Sequence, residues 1–220
     1  MIILYLNTNT FLFLRNKMDL LRLEKELKKR HTHEYKWGRK QNNSWDNTTN
    51  FIYKTYSFDS LLEKTKSLNI DLKDYALNRW YNFWSAMAVE YIFSSHDNVI
   101  PNKNKYDRLT DFKINNISFD HKTSIFPKGF NEDIDYALNN KKDLINWLYK
   151  NQSQQRRKHL ENRLFIVVYN NNNEHWKMKA EITMLKKSID EYINRFNEKN
   201  LEVFDFGNGQ VLSDILWIRH

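Results

Sequence analysis

The stretch TDFKINNISFDHKTSIFPKG, residues 110–129, decides how the rest of the chain is read. Two runs, Asp111 to Ile114 and Ile117 to Phe126, flank Asn115-Asn116. Asn tolerates the left-handed backbone of a two-residue hairpin turn, so the pattern predicts a β-hairpin. A turn at these two residues sets Ile114 opposite Ile117, Lys113 opposite Ser118, Phe112 opposite Phe119 and Asp111 opposite Asp120. Side chains alternate across a strand, so Phe112, Ile114, Ile117 and Phe119 share a core face, while Asp120 and Lys122 share a charged one. His121 falls on the core face and reads as a packed histidine whose side chain does no chemistry. Pro127, Lys128 and Gly129 end the strand.

Carboxylates directly opposite each other lie about 5 Å apart and repel by roughly 3 kcal/mol at an effective dielectric near 20. A divalent cation between Asp111 and Asp120, the Lys122 ammonium, or a raised carboxyl pKa would each offset that repulsion. A solvent-facing strand merely decorated with Asp and Lys is the competing reading. It is disfavoured because the strand lies between helical segments and is expected at the sheet centre.

Upstream, residues 74–94 predict a central helix, with Ala76, Trp80, Phe83, Met87, Glu90 and Ser94 on one stripe and a second apolar stripe beside it. Glu90 is the one formally charged residue between Arg79 and Asp97. A buried carboxylate costs several kcal/mol without a partner. The acidic pair of the hairpin is the candidate, with solvent or an arginine as the other. Before this helix, residues 18–30 and 60–67 read as helices, and residues 31–56 as irregular structure.

Downstream, helical patterns cover residues 132–139 and 142–160, the second ending in Arg156-Arg157-Lys158. The continuous apolar run from Leu164 to Tyr169 then reads as a buried strand, reached by a crossover and parallel to the hairpin's second strand. A helix over 180–196 and short strands near 201–206 and 215–218 complete a mixed α/β layer architecture.

The 220 residues suit one domain. The formal charge of +8 favours a polyanionic partner, nucleic acid first. Cysteine is absent, which excludes disulfides and thiolate metal sites. The apolar opening MIILYLNTNTFLFL is shorter than a bilayer span and has neither the basic start nor the cleavage site of a secretory signal, so a cytoplasmic protein without a membrane anchor is expected. Met18 opens a far more helix-like stretch. Residues 1–17 are accordingly read as an apolar leader outside the native product or as a loosely packed strand, and 18–220 as the domain. His31, His33 and Glu34 match no metal-ligand spacing, and no Gly-rich phosphate loop or Ser-His-Asp pattern occurs.

Residues 83–126, about a fifth of the chain, resemble the PD-(D/E)xK nuclease superfamily, which includes many restriction endonucleases. The likeness rests on an acidic residue on a helix, Glu90, an Asp at the start of a strand, Asp111, and Asp120-His121-Lys122 on the next strand. Thr110 replaces the motif's Pro, and Asp107 is a weaker rival for Asp111. The resemblance implies a restriction-endonuclease-like mixed β-sheet flanked by α-helices. It also implies an Mg²⁺-dependent endonuclease acting on DNA, with Mn²⁺ as the alternative metal. Asp111, Asp120, the His121 backbone carbonyl and Glu90 would hold the ion, and Lys122 would orient the attacking water and stabilise developing charge. Duplex DNA is the expected partner, and a homodimer is the expected form for cutting two strands. Apart from the resemblance, Arg156, Arg157 and Lys158 read either as phosphate contacts or as an ordinary solvated helix face, and Lys36, Trp37, Arg39, Lys40 and Trp45 either as DNA contacts or as packing under a loop. A basic nucleic-acid-binding protein without catalysis is the alternative, and an aromatic surface that binds another protein is a third reading.

Overall fold

A computed structural model describes residues 18–36, 43–104, 107, 109–151, 161–207 and 209–220. The apolar leader and the Arg156-Arg157-Lys158 run lie outside the described residues, as do Trp37, Arg39 and Lys40. The chain divides into two compact units, one up to Tyr91 with Lys179–Thr183, the other Ile92–Met178 with Met184–His220. No helix among the described residues is long and apolar enough to cross a membrane.

In the first unit, α1 (Leu20–Lys29) starts where the Asp19 carboxylate accepts the Arg22 N–H, and it buries Leu23 and Leu27. Residues 31–56, expected to be irregular, contain α2 (Asn43–Thr48) and a 3₁₀ turn at Asn50–Lys54. Their organiser is Arg79, whose guanidinium donates to the Asp46 carbonyl at 2.9 Å, to the Tyr53 hydroxyl at 2.6 Å and to Thr49 Oγ1. Helix α3 (Phe58–Thr65) is capped by Ser57, which accepts from the Ser60 N–H. Helix α4 (Ile70–Ser94) begins a turn before the expected start because the Asn69 side chain accepts the Leu72 N–H at 2.9 Å. Its Trp80 and Trp84 are buried, and both indoles donate to the Thr55 carbonyl, at 2.7 and 2.9 Å.

Lys179 is the odd cation of this unit. Its ammonium donates to the Asn82 side-chain oxygen at 3.0 Å, and burial pulls its pKa from 10.5 down to about 8. A folded-state pKa below the unfolded value means that the unfolded chain holds more protons between about pH 8 and 10.5, so stability rises with pH across that window. Lys179→Met removes the charging cost but orphans Asn82. It is expected to stabilise the protein at pH 7 by about 2 kcal/mol and to flatten that rise, as read by urea melts at pH 7 and 10.

The second unit is built on a six-stranded sheet in the order β1-β2-β3-β4-β6-β5. Its strands are β1 (Val99–Pro101), β2 (Phe112–Ile114), β3 (Ile117–Ile125), β4 (Arg163–Tyr169), β5 (Glu202–Asp205) and β6 (Gln210–Arg219). The β2–β3 hairpin has the register expected of an Asn115-Asn116 turn, with Phe112 opposite Phe119 and Ile114 opposite Ile117. Both asparagines carry positive φ, 46° and 73°. β4 runs parallel to β3 and β6 parallel to β4, so the sheet is mixed.

Between β3 and β4 lie α5 (Ile134–Asn139) and α6 (Lys141–Asn151). Ala137, Leu144, Ile145 and Leu148 of these helices form one core with Phe165, Val167, Val211 and Ile215 of the sheet. Residues paired across parallel strands share a face, so Asp120 and Lys122 belong to the α6 side with Arg163 and Phe165. His121 and Thr123 belong to the other side, with Leu164 and Ile166. There Phe119 meets Phe196, just past α7 (Ile182–Asn194).

Candidate metal centre

Asp111 lies one residue before the β2 ladder begins, and this offset decides what its carboxylate reaches. Its backbone is anchored, the N–H donating to the Phe119 carbonyl at 2.8 Å and the carbonyl accepting from the Asn102 N–H at 2.9 Å. Outside the pleat, the side chain no longer follows strand alternation. Oδ2 accepts two bonds from His121, the backbone N–H at 2.8 Å and ring Nδ1 at 2.7 Å. The expected pairing of the Asp111 and Asp120 carboxylates around one cation is therefore corrected to an Asp111–His121 pair.

His121 is buried, as expected of a packed histidine, and its ring stacks on Phe112 with centroids 5.8 Å apart. Its side chain also meets the Asp111 carboxylate, so the packed histidine is part of a polar contact. Phe112 is itself stacked on Phe93 at 4.5 Å, so the imidazole plane is held from below by a layered aromatic pair. Burial pushes the Asp111 carboxyl up, but the charge and hydrogen bonds of His121, with a smaller contribution from Lys122, outweigh it and hold the group below its ordinary pKa.

Asp120 is neutralised separately on the α6 side. Oδ1 accepts from Lys122 Nζ at 3.1 Å and Oδ2 from Arg163 Nε at 3.1 Å. The Asp120 and Arg163 side chains are 10% and 7% exposed, against 49% for Lys122. Arg163 also lies over the Tyr149 ring at 5.2 Å. Arg163 is the partner that sequence reasoning missed. A lone arginine at the head of the apolar run from Leu164 was its signal, because a buried cation needs a carboxylate.

Glu90 is buried, near the C-terminal end of α4. Phe93, which stacks on Phe112, follows one turn later on the same helix. Asp107 serves its loop instead, accepting from the Leu109 N–H at 2.8 Å and from the Asn102 amide at 2.7 Å.

The Asp111 carboxylate and the His121 ring stand 2.7 Å apart, close enough to bind one cation together. The donor set is thus a carboxylate with an imidazole. Such a set fits a divalent ion that accepts oxygen and nitrogen ligands, such as Mn²⁺, better than Mg²⁺, which demands oxygens. Comparison with family models, with curated proteins and with solved structures finds no match for the chain.

Proposed function

We propose that the protein is a divalent-metal-dependent endonuclease that hydrolyses DNA phosphodiester bonds, with Asp111 and His121 holding the ion. The observation that carries this reading is the 2.7 Å bond between the Asp111 carboxylate and the buried His121 ring. The succession of helix, three-stranded meander, helices and parallel strand around that pair, and the charge of +8, agree with it. An ion held there would supply Lewis-acid activation of the scissile phosphate and of the attacking water.

The chain's own groups do the positioning. Asp111 fixes the orientation of the His121 ring, and Phe112 stacks on it. Lys122 acts through its field rather than by contact: its ammonium is half exposed, and its charge reaches the Asp111 carboxyl. That field favours the approach of a phosphate. Duplex DNA is the proposed substrate, cut in both strands by two copies of the chain.

Titration with Mn²⁺ is expected to raise the melting temperature by several degrees at about 100 times the dissociation constant, where binding contributes ~2.7 kcal/mol. In a plasmid-nicking assay, cutting is expected with Mn²⁺ and none with EDTA. Salt-sensitive DNA binding without cutting would instead support a non-catalytic nucleic-acid-binding protein.

A further inference from the structure

Among the described residues one buried side-chain hydroxyl has no hydrogen-bond partner, Oγ1 of Thr123 on β3. The buried threonines and serines elsewhere are all served. Thr49 Oγ1 donates to the Trp45 carbonyl and Thr55 Oγ1 to the Phe51 carbonyl, each at 2.7 Å, and Thr65 Oγ1 to the Leu62 carbonyl at 2.9 Å. Ser85 Oγ donates to the Asn82 carbonyl at 3.1 Å and Ser213 Oγ to the Arg163 carbonyl at 2.7 Å. A hydroxyl taken out of water without a partner costs stability, and valine fills the same β-branched shape on a strand without that cost. Thr123 lies opposite Ile166 of β4, which is wholly buried, so a hydroxyl adds nothing to the packing there.

Its position ties it to the metal centre. Side chains alternate along a strand, so Thr123 shares a face with His121 and stands about 6.6 Å further along β3. β2 pairs with β3 only as far as Phe119, and beyond that point the Asp111 carboxylate turns in beside β3 to accept the His121 N–H at 2.8 Å. The orphaned hydroxyl is therefore one pleat past the Asp111–His121 pair, on the side of the sheet that carries the imidazole.

We infer, resting on the metal-site reading above, that Thr123 is a positioning residue of that centre, its hydroxyl holding a water carried by an ion at Asp111 and His121. One water spans such a gap, since it lies about 2 Å from a small divalent ion and about 2.8 Å from a hydroxyl. A water whose lone pair is committed to a cation is a hydrogen-bond donor, so Oγ1 is its acceptor. The hydroxyl then orients the water without ligating the ion.

Thr123→Val keeps the shape of the side chain and removes the hydroxyl alone. Its affinity for Mn²⁺, measured by titration calorimetry, is expected to fall about ten-fold or more, the usual effect of losing a group behind the metal ligands. Its urea midpoint without metal is expected to be no lower than that of the wild type, because the metal-free protein loses no bond. Thr123→Ser restores the hydroxyl and is expected to bind Mn²⁺ within about three-fold of the wild type. A lower metal-free midpoint with unchanged Mn²⁺ affinity in Thr123→Val would assign the hydroxyl to a trapped structural water and overturn the inference. A wild type that binds no Mn²⁺ overturns the metal site and the inference with it, whereas equal binding by wild type and Thr123→Val overturns the inference alone.

Discussion

Asp111→Asn and His121→Ala are each expected to lower Mn²⁺-dependent DNA cleavage by about 100-fold or more, the scale of a lost acid–base or positioning group. Asp111→Asn preserves volume and can still accept the His121 backbone N–H, so the strand should keep its place while the charge that holds the ring and the ion is gone. Lys122→Ala is expected to cost only about 5-fold, because a half-exposed ammonium acting through its field contributes ~1 kcal/mol. Initial nicking rates of the three variants at saturating Mn²⁺ decide the matter. A Lys122→Ala variant that is dead beside an active Asp111→Asn would return the chemistry to the Asp120 face.

Asp120→Ala should unfold more readily by ~3–5 kcal/mol, because it leaves the Arg163 guanidinium buried without its carboxylate. Arg163→Met together with Asp120→Ala removes both charges and should recover much of the loss. Urea denaturation of the single and double variants measures the coupling directly. If Asp120→Ala costs less than ~1 kcal/mol, this ion pair behaves as a surface contact and the structural role assigned to Asp120 is wrong.

These two results separate groups that stand side by side in the sequence, and the same separation marks how far the sequence could be read. The hairpin was legible because Asn115-Asn116 fixes the turn and the alternation of Phe112, Ile114, Ile117 and Phe119 fixes the face. The parallel strand after a helical crossover was legible from the apolar run at Leu164. Strand β1 was not, since three residues carry no period. The partner of Asp111 was misread because alternation was extended one residue beyond the ladder, where the backbone is free to turn the carboxylate toward His121. Asp120 was assigned to the cation because its true neighbour, Arg163, lies 43 positions away in sequence and is brought beside it only by the β3–β4 pairing. Likewise nothing in the sequence marks Arg79 as the residue that gathers the 46–53 segment.

The shared carbonyl of Thr55 gives the first unit a form of redundancy. With two indole donors converging on one acceptor, and Trp84 also within 3.3 Å of the Ile52 carbonyl, losing either tryptophan leaves the oxygen served. Sequence drift at one of the pair is thereby buffered by the other, and only a lineage that lost both would have to rebuild the turn around residue 55.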